Sequence, residues 1–153
     1  MKNRVVPFIL ACAMCSAFPL NPFNSFADGP GTESVEEIEA EGLIFSYSLS
    51  ISSGWKTVYI TASTEGSEIM GEIGFTNIIV QYSTDHVNWS QEKTVSNQVI
   101  TDAQRHDLID FGVPVNGGYY YRVTLKHYAK EDTWWFPDTQ TINGTSNYVW
   151  VSG

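Results

Sequence analysis

The sequence predicts an all-β protein, an antiparallel sandwich of about seven short strands. Apolar and polar residues alternate at 43–51, 76–83 and 118–128, and a period of two is typical of half-buried strands. Turn-forming residues separate such segments, as in the Asn-Gly-Gly sequence at 116–118. Beyond residue 42, no run of ten residues has the helical period. Short strands with regular turn signals favour a sandwich over a parallel sheet.

The first half of the domain contains two strands and one ambiguous segment. The strand at 43–51 leads through a turn at 52–54 to a second strand at 58–63. The Thr-Glu-Gly-Ser sequence at 64–67 is expected to end that strand. Residues 69–75 contain two glycines, and they are interpreted as either a loop or a bulged strand.

The second half contains the clearest strand. Residues 118–128 form the longest predicted strand, with Tyr119 as a buried residue whose hydroxyl bonds the backbone. Residues 129–145 are expected to form a long loop. The other strands in this half are predicted at 76–83, 87–95, 107–113 and 147–151.

The N-terminus has the layout of a secretory signal. Lys2 and Arg4 precede an apolar segment at 5–17, and Ser-Phe-Ala at 25–27 places small residues at the −3 and −1 positions of a cleavage site. The sequence therefore predicts a signal peptide over 1–27, cleaved near Ala27, and a secreted, extracellular protein. Cleavage after Ala17 is one alternative, and Leu10-Ala11-Cys12, which faintly resembles a bacterial lipobox, is another. The apolar segment is too short to span a bilayer, so no transmembrane segment is expected in the mature protein.

Residues 28–42 are predicted to be an acidic, flexible leader, and residues 43–153 the sandwich domain. Both cysteines, Cys12 and Cys15, lie in the predicted signal peptide, so the domain must fold without a disulfide. The formal net charge of −9 opposes binding to nucleic acid and to anionic membranes, because both repel an acidic protein.

Three segments resemble fibronectin type III and related immunoglobulin-like domains. IIVQYSTDHVNWS at 78–90 is similar to the third strand and following Trp of such modules, and LIDFGVPVNGGYYYRVTL at 108–125 to the approach to their sixth strand. SNYVWVS at 146–152 resembles the closing strand. The resemblance implies an immunoglobulin-like or fibronectin type III-like sandwich. The overall layout also resembles small secreted Firmicutes proteins of unknown function, which implies a bacterial source and no particular activity.

The residues that could carry chemistry form no recognised motif. His86, His106 and His127 are not at metal-ligand spacing, and they are interpreted as surface histidines. Serines and acids are too scattered to indicate a catalytic set, although a triad assembled in space stays open, as does a bound Ca²⁺. The sequence therefore predicts no catalytic residue, no metal site and no cofactor. We accordingly expect a protein that is not an enzyme.

The most unusual feature is the sequence Trp134-Trp135-Phe136, inside the expected loop. Adjacent aromatic residues cannot all face one core, because side chains alternate along an extended chain. One interpretation is an exposed platform that stacks on a sugar or anchors a partner. The other is a cap that folds over the end of the core.

The function that the sequence favours is a secreted, non-catalytic binding module for a glycan, the cell wall or another protein. The platform interpretation of Trp134, Trp135 and Phe136 supports it, as does a scaffold that presents loops at its ends. A secreted toxin or bacteriocin-like effector is the alternative, and an exported hydrolase is a further one.

Overall fold

A computed structural model describes residues 37–153; the predicted signal peptide (1–27) and residues 28–36 of the predicted leader lie outside the described residues. All regular secondary structure within residues 37–153 consists of β-strands, and no helix is present there. This confirms the all-β class. The described part of the chain has eight strands, against about seven predicted. They are β1 (Ile38–Glu39), β2 (Ile44–Gly54), β3 (Thr57–Ser83), β4 (Ser90–Val95), β5 (Gln98–Pro114), β6 (Tyr119–Lys130), β7 (Thr139–Thr145) and β8 (Val149–Val151).

The eight strands form one antiparallel sheet around β3, which is 27 residues long. One edge of β3 pairs first with β2 and then with β6. Its other edge pairs first with β5 and then with β4. The short strands β1, β7 and β8 extend the sheet from β2 and β6. One strand therefore provides hydrogen-bonding partners for four others.

The expected break at 64–67 is wrong, because β3 continues through it. Pairing passes from β2 to β6 between Gly66 and Glu72, and the register with β5 shifts between Glu65 and Met70. Of the two interpretations of 69–75, the bulged strand is confirmed. Gly74 has a φ of 152°, and a Cβ there would lie 2.1 Å from the Gln98 carbonyl oxygen of β5. Only glycine therefore fits where β3 passes so close to β5.

The irregularities let the sheet curl, so that both halves of β3 face one core. Val58 and Ile60 from the first half and Phe75 and Val80 from the second belong to the same buried cluster. Tyr121 and Val123 of β6 and Val151 of β8 complete its far side. A smaller cluster of Ile44, Met70, Ile73 and Ala129 lies beside the bend of β3.

One other expectation is corrected. The loop predicted at 129–145 contains only residues 131–138, because β6 extends to Lys130 and Thr139–Thr145 forms β7. β7 is rich in Thr and lacks the alternating large apolar residues that predict a strand. Its backbone pairing with β6 keeps it extended. Within the predicted leader, Ile38–Glu39 pairs with Tyr47 and Ser46 of β2.

The hydroxyl that bonds the backbone belongs to Tyr121, not to Tyr119. Tyr119 is half-buried, whereas Tyr121 is fully buried and donates a hydrogen bond of 2.6 Å to the Asn116 carbonyl oxygen. Burial, followed by the negative charge of Glu92, raises the pKa of Tyr121 to about 12. This bond ties the turn before β6 to the core.

Replacing Tyr121 by Phe is expected to lower the free energy of unfolding by about 1 kcal/mol, because it removes one hydrogen bond and keeps the ring. Chemical denaturation measures the change, and Tyr119→Phe is the matched control. An unchanged midpoint for Tyr121→Phe, or an equal loss in the control, contradicts the assignment.

Candidate functional site

The three aromatic residues singled out from the sequence lie at the tip of the loop between β6 and β7. The loop closes where the Glu131 amide donates to the Asp138 carbonyl oxygen at 3.0 Å. Because β6 and β7 pair in regular register up to Lys130 and Thr139, the tip projects beyond the sheet. We call residues 131–138 the aromatic loop.

All three side chains of the tip are exposed. The exposed fractions are 81% for Trp134, 68% for Trp135 and 89% for Phe136. The Trp134 and Trp135 rings lie 3.8 Å apart between centroids, and none of the three belongs to either buried cluster. In this structure the loop does not cover the core. Large apolar rings held in water are typical of a contact surface.

The base of the aromatic loop is held against β3. A Cβ on Gly71 would lie 2.9 Å from Cβ of Asp132 and 3.0 Å from its backbone, so glycine permits this close approach. Glu72 accepts from Lys130 Nζ at 2.9 Å and from the Tyr128 hydroxyl at 2.9 Å. The bonds from Lys130 and Tyr128 hold the pKa of Glu72 below its ordinary value, and the bond to Glu72 raises the pKa of Lys130. Both changes favour the charged forms of the pair.

A shallow polar notch of about 180 Å³ opens beside the aromatic tip. Glu72 of β3, Lys130 of β6 and the loop residues Glu131, Asp132 and Thr133 line the notch, whereas the three rings lie outside it. The site therefore combines flat apolar rings with carboxylate acceptors and an ammonium donor. The loop residues of this site can be predicted from the sequence. The contribution of Glu72 cannot be predicted, because Glu72 lies 58 residues from Lys130 in a segment without a clear strand pattern.

The histidines do not assemble a catalytic set among the described residues. His86 is exposed and His106 is half-buried. His127 is fully buried, so its assignment to the surface is wrong. His127 is buried because it continues the alternation of inward-facing residues along β6 that also buries Val123 and Leu125. Its Nδ1 lies 2.8 Å from Oγ1 of Thr64, and Thr64 is also fully buried, so this pair is closed to solvent in the structure.

Residues 37–153 contain no group of three or more His, Cys, Asp or Glu side chains placed to hold a metal ion. Within the same range, no helix is long and apolar enough to cross a bilayer.

Comparison with known proteins yields no match: no protein family, curated protein or solved structure resembles this chain closely enough to count.

Stability is expected to depend on His127 in mildly acidic solution. Burial lowers the pKa of His127 to about 4, from an ordinary value of 6.5. Between pH 4 and pH 6.5 the imidazole of His127 binds a proton in the unfolded chain but stays neutral in the folded chain. This contribution to stability is complete above pH 6.5 and is lost as the pH falls to 4, by about 3 kcal/mol.

The test compares the unfolding free energies of the native protein and His127→Gln at pH 7 and pH 4. The native protein is expected to lose about 3 kcal/mol more than the variant, since the variant lacks the titrating group. Equal losses in the two proteins contradict a neutral, buried His127.

Proposed function

We propose that this protein is a secreted, non-catalytic binding module that recognises a glycan through the aromatic loop. The observation that carries the proposal is the exposure of Trp134, Trp135 and Phe136 beside a polar notch. No role in the core accounts for these rings. A glycan of the cell wall is one form of this ligand, and a protein partner is the competing occupant.

The chemistry of the loop suits a sugar that carries no net negative charge. A pyranose ring has an apolar face of C–H groups that can lie on an indole ring, and hydroxyl groups around its edge. Carboxylates accept hydrogen bonds from such hydroxyls, and Glu131 and Asp132 line the notch at the base of the loop that carries the rings. A site of aromatic rings with a few polar groups is typical of small-ligand recognition.

A bilayer suits the loop less well. Exposed Trp and Phe residues can enter a membrane interface. Here Glu131, Asp132 and Asp138 flank the three rings, and each carboxylate disfavours contact with anionic lipid. These charges favour a neutral, hydrated ligand over a membrane surface.

The scaffold belongs to the same proposal. An immunoglobulin-like or fibronectin type III-like sandwich is supported by the larger buried cluster, to which both halves of β3 contribute. Such a sandwich presents loops at its ends, where binding residues are commonly found. No contact among residues 37–153 specifically favours the effector or hydrolase alternatives.

Trp134→Ala and Trp135→Ala are expected to weaken glycan binding at least tenfold while changing the unfolding free energy by less than about 0.5 kcal/mol, as for other exposed positions. Pull-down on insoluble cellulose, chitin and peptidoglycan, followed by titration with soluble fragments of the polysaccharide that binds, measures affinity. Thermal melts measure stability.

Trp55→Ala is the matched control. Trp55 is 74% exposed, but it lies in the β2–β3 turn, whose Lys56 carbonyl accepts from Val115 near the start of β6. This is the opposite end of the sheet from the aromatic loop. A stability loss of roughly 3–5 kcal/mol in the loop variants would show a core cap. Retention on none of the polysaccharides, or on phosphatidylcholine vesicles instead, contradicts glycan binding.

A further inference from the structure

A second set of exposed rings covers the outer side of the sheet near the start of β6. Tyr120 of β6 and Trp150 of β8 are register partners whose ring centroids lie 4.9 Å apart. Tyr148 and Trp150 are 43% and 51% exposed. Tyr120 lies on the strand face opposite the buried Tyr121, so these rings do not belong to the core.

The turn after β3 extends this surface. His86 stacks on Tyr148 with centroids 5.2 Å apart and planes 6° from parallel. It also meets the Tyr120 ring edge-on at 4.9 Å, and Trp89 lies 6.3 Å from Tyr148. Five rings thus form one continuous surface. We call it the aromatic face; it consists of His86, Trp89, Tyr120, Tyr148 and Trp150, together with Arg122.

Arg122 places a positive charge at one end of the aromatic face. Its guanidinium carbon lies 4.4 Å from the centre of the Trp89 ring, and its Nε donates to Oε1 of Gln81 at 2.8 Å. Among residues 37–153 no carboxylate lies within ion-pair distance of it. By contrast, Arg105 pairs with Glu65 and Asp107.

An unpaired guanidinium is unexpected in a chain with 17 acids and eight Lys and Arg residues. Asp85 belongs to the same turn as His86, but its carboxylate is used within that turn. Its Oδ1 accepts from the amides of Val87 and Asn88 at 3.0 and 2.8 Å, and its Oδ2 accepts from the Asn88 side chain at 2.7 Å. Among residues 37–153, Arg122 uses only its Nε in a hydrogen bond, so its two terminal nitrogens have no partner in this part of the chain.

We propose that the aromatic face is a second binding site, specific for an acidic glycan whose sugar carries a carboxylate. The sugar ring lies on the exposed rings of Tyr148 and Trp150. The carboxylate accepts paired hydrogen bonds from Arg122, whose planar group matches carboxylate geometry.

The charge of this face separates it from the aromatic loop. The loop offers carboxylates to a ligand, whereas the aromatic face offers one guanidinium. Arg122 lies eight residues before Lys130, which places the two sites roughly 25 Å apart along β6. One cation among five rings does not suit a polyphosphate, because nucleic acid needs a series of cations along its backbone.

The experiment titrates the full chain with oligogalacturonate, hyaluronan hexasaccharide and a carrageenan hexasaccharide, which carries sulfates but no carboxylate, and with methyl-esterified oligogalacturonate as the uncharged counterpart. At least one carboxylated oligosaccharide is expected to bind, and added salt is expected to weaken it. Equal binding of the acid and its ester, or binding of the sulfated sugar alone, overturns the proposal. So does the absence of binding to every acidic sugar.

Arg122→Gln is expected to reduce this binding by roughly ten- to a hundredfold, as for loss of a charge-assisted hydrogen bond, and Trp150→Ala is also expected to reduce it. Lys126→Gln is the matched control, because Lys126 lies on the same side of β6 and loses the same charge. Thermal melts show that each variant is folded. Trp134→Ala is expected to leave this binding unchanged. If Lys126→Gln weakens binding as much as Arg122→Gln, the assignment to Arg122 is wrong.

Discussion

The constraint on which the structure depends is the continuity of β3. Its two edges provide the hydrogen-bonding partners of β2, β6, β5 and β4. A strand of this length cannot stay flat with both halves facing the same core, since sheets twist and bulges sharpen the bend. The register shifts and Gly74 supply that bend. Without it, the apolar residues of the first and second halves of β3 would not meet in one cluster.

The same geometry places the two aromatic surfaces. β6 pairs with the second half of β3, so its far end reaches Gly71 and Glu72, where the aromatic loop is anchored. Its near end carries Tyr120 and Arg122 on the side that faces away from the core. Both surfaces therefore stand on strands whose positions are set by backbone pairing, and rigid support of this kind is what a binding site needs.

The sequence predicts strands wherever one face is apolar. The alternation at 43–51 and 118–128 predicts β2 and β6 because each has a buried side. It fails at 64–67, since local turn propensity there is overridden by pairing of Glu65 and Gly66 with neighbouring strands. The aromatic triplet is visible in sequence because three adjacent rings cannot share a core. The aromatic face is not, because it joins residues of β6, of β8 and of the turn after β3, which only the sheet register brings together.

The most direct test of this account is the pairing of Ile73 in solution. In the structure Ile73 of β3 lies between Ile100 of β5 and Ala129 of β6, at the point where a broken strand would leave a loop. Nuclear Overhauser contacts from the backbone of Ile73 to both partners, with slow exchange of the backbone amides at this crossing, are the result that the account predicts. Rapid exchange there, with contacts to one neighbour or to neither, would contradict a continuous β3.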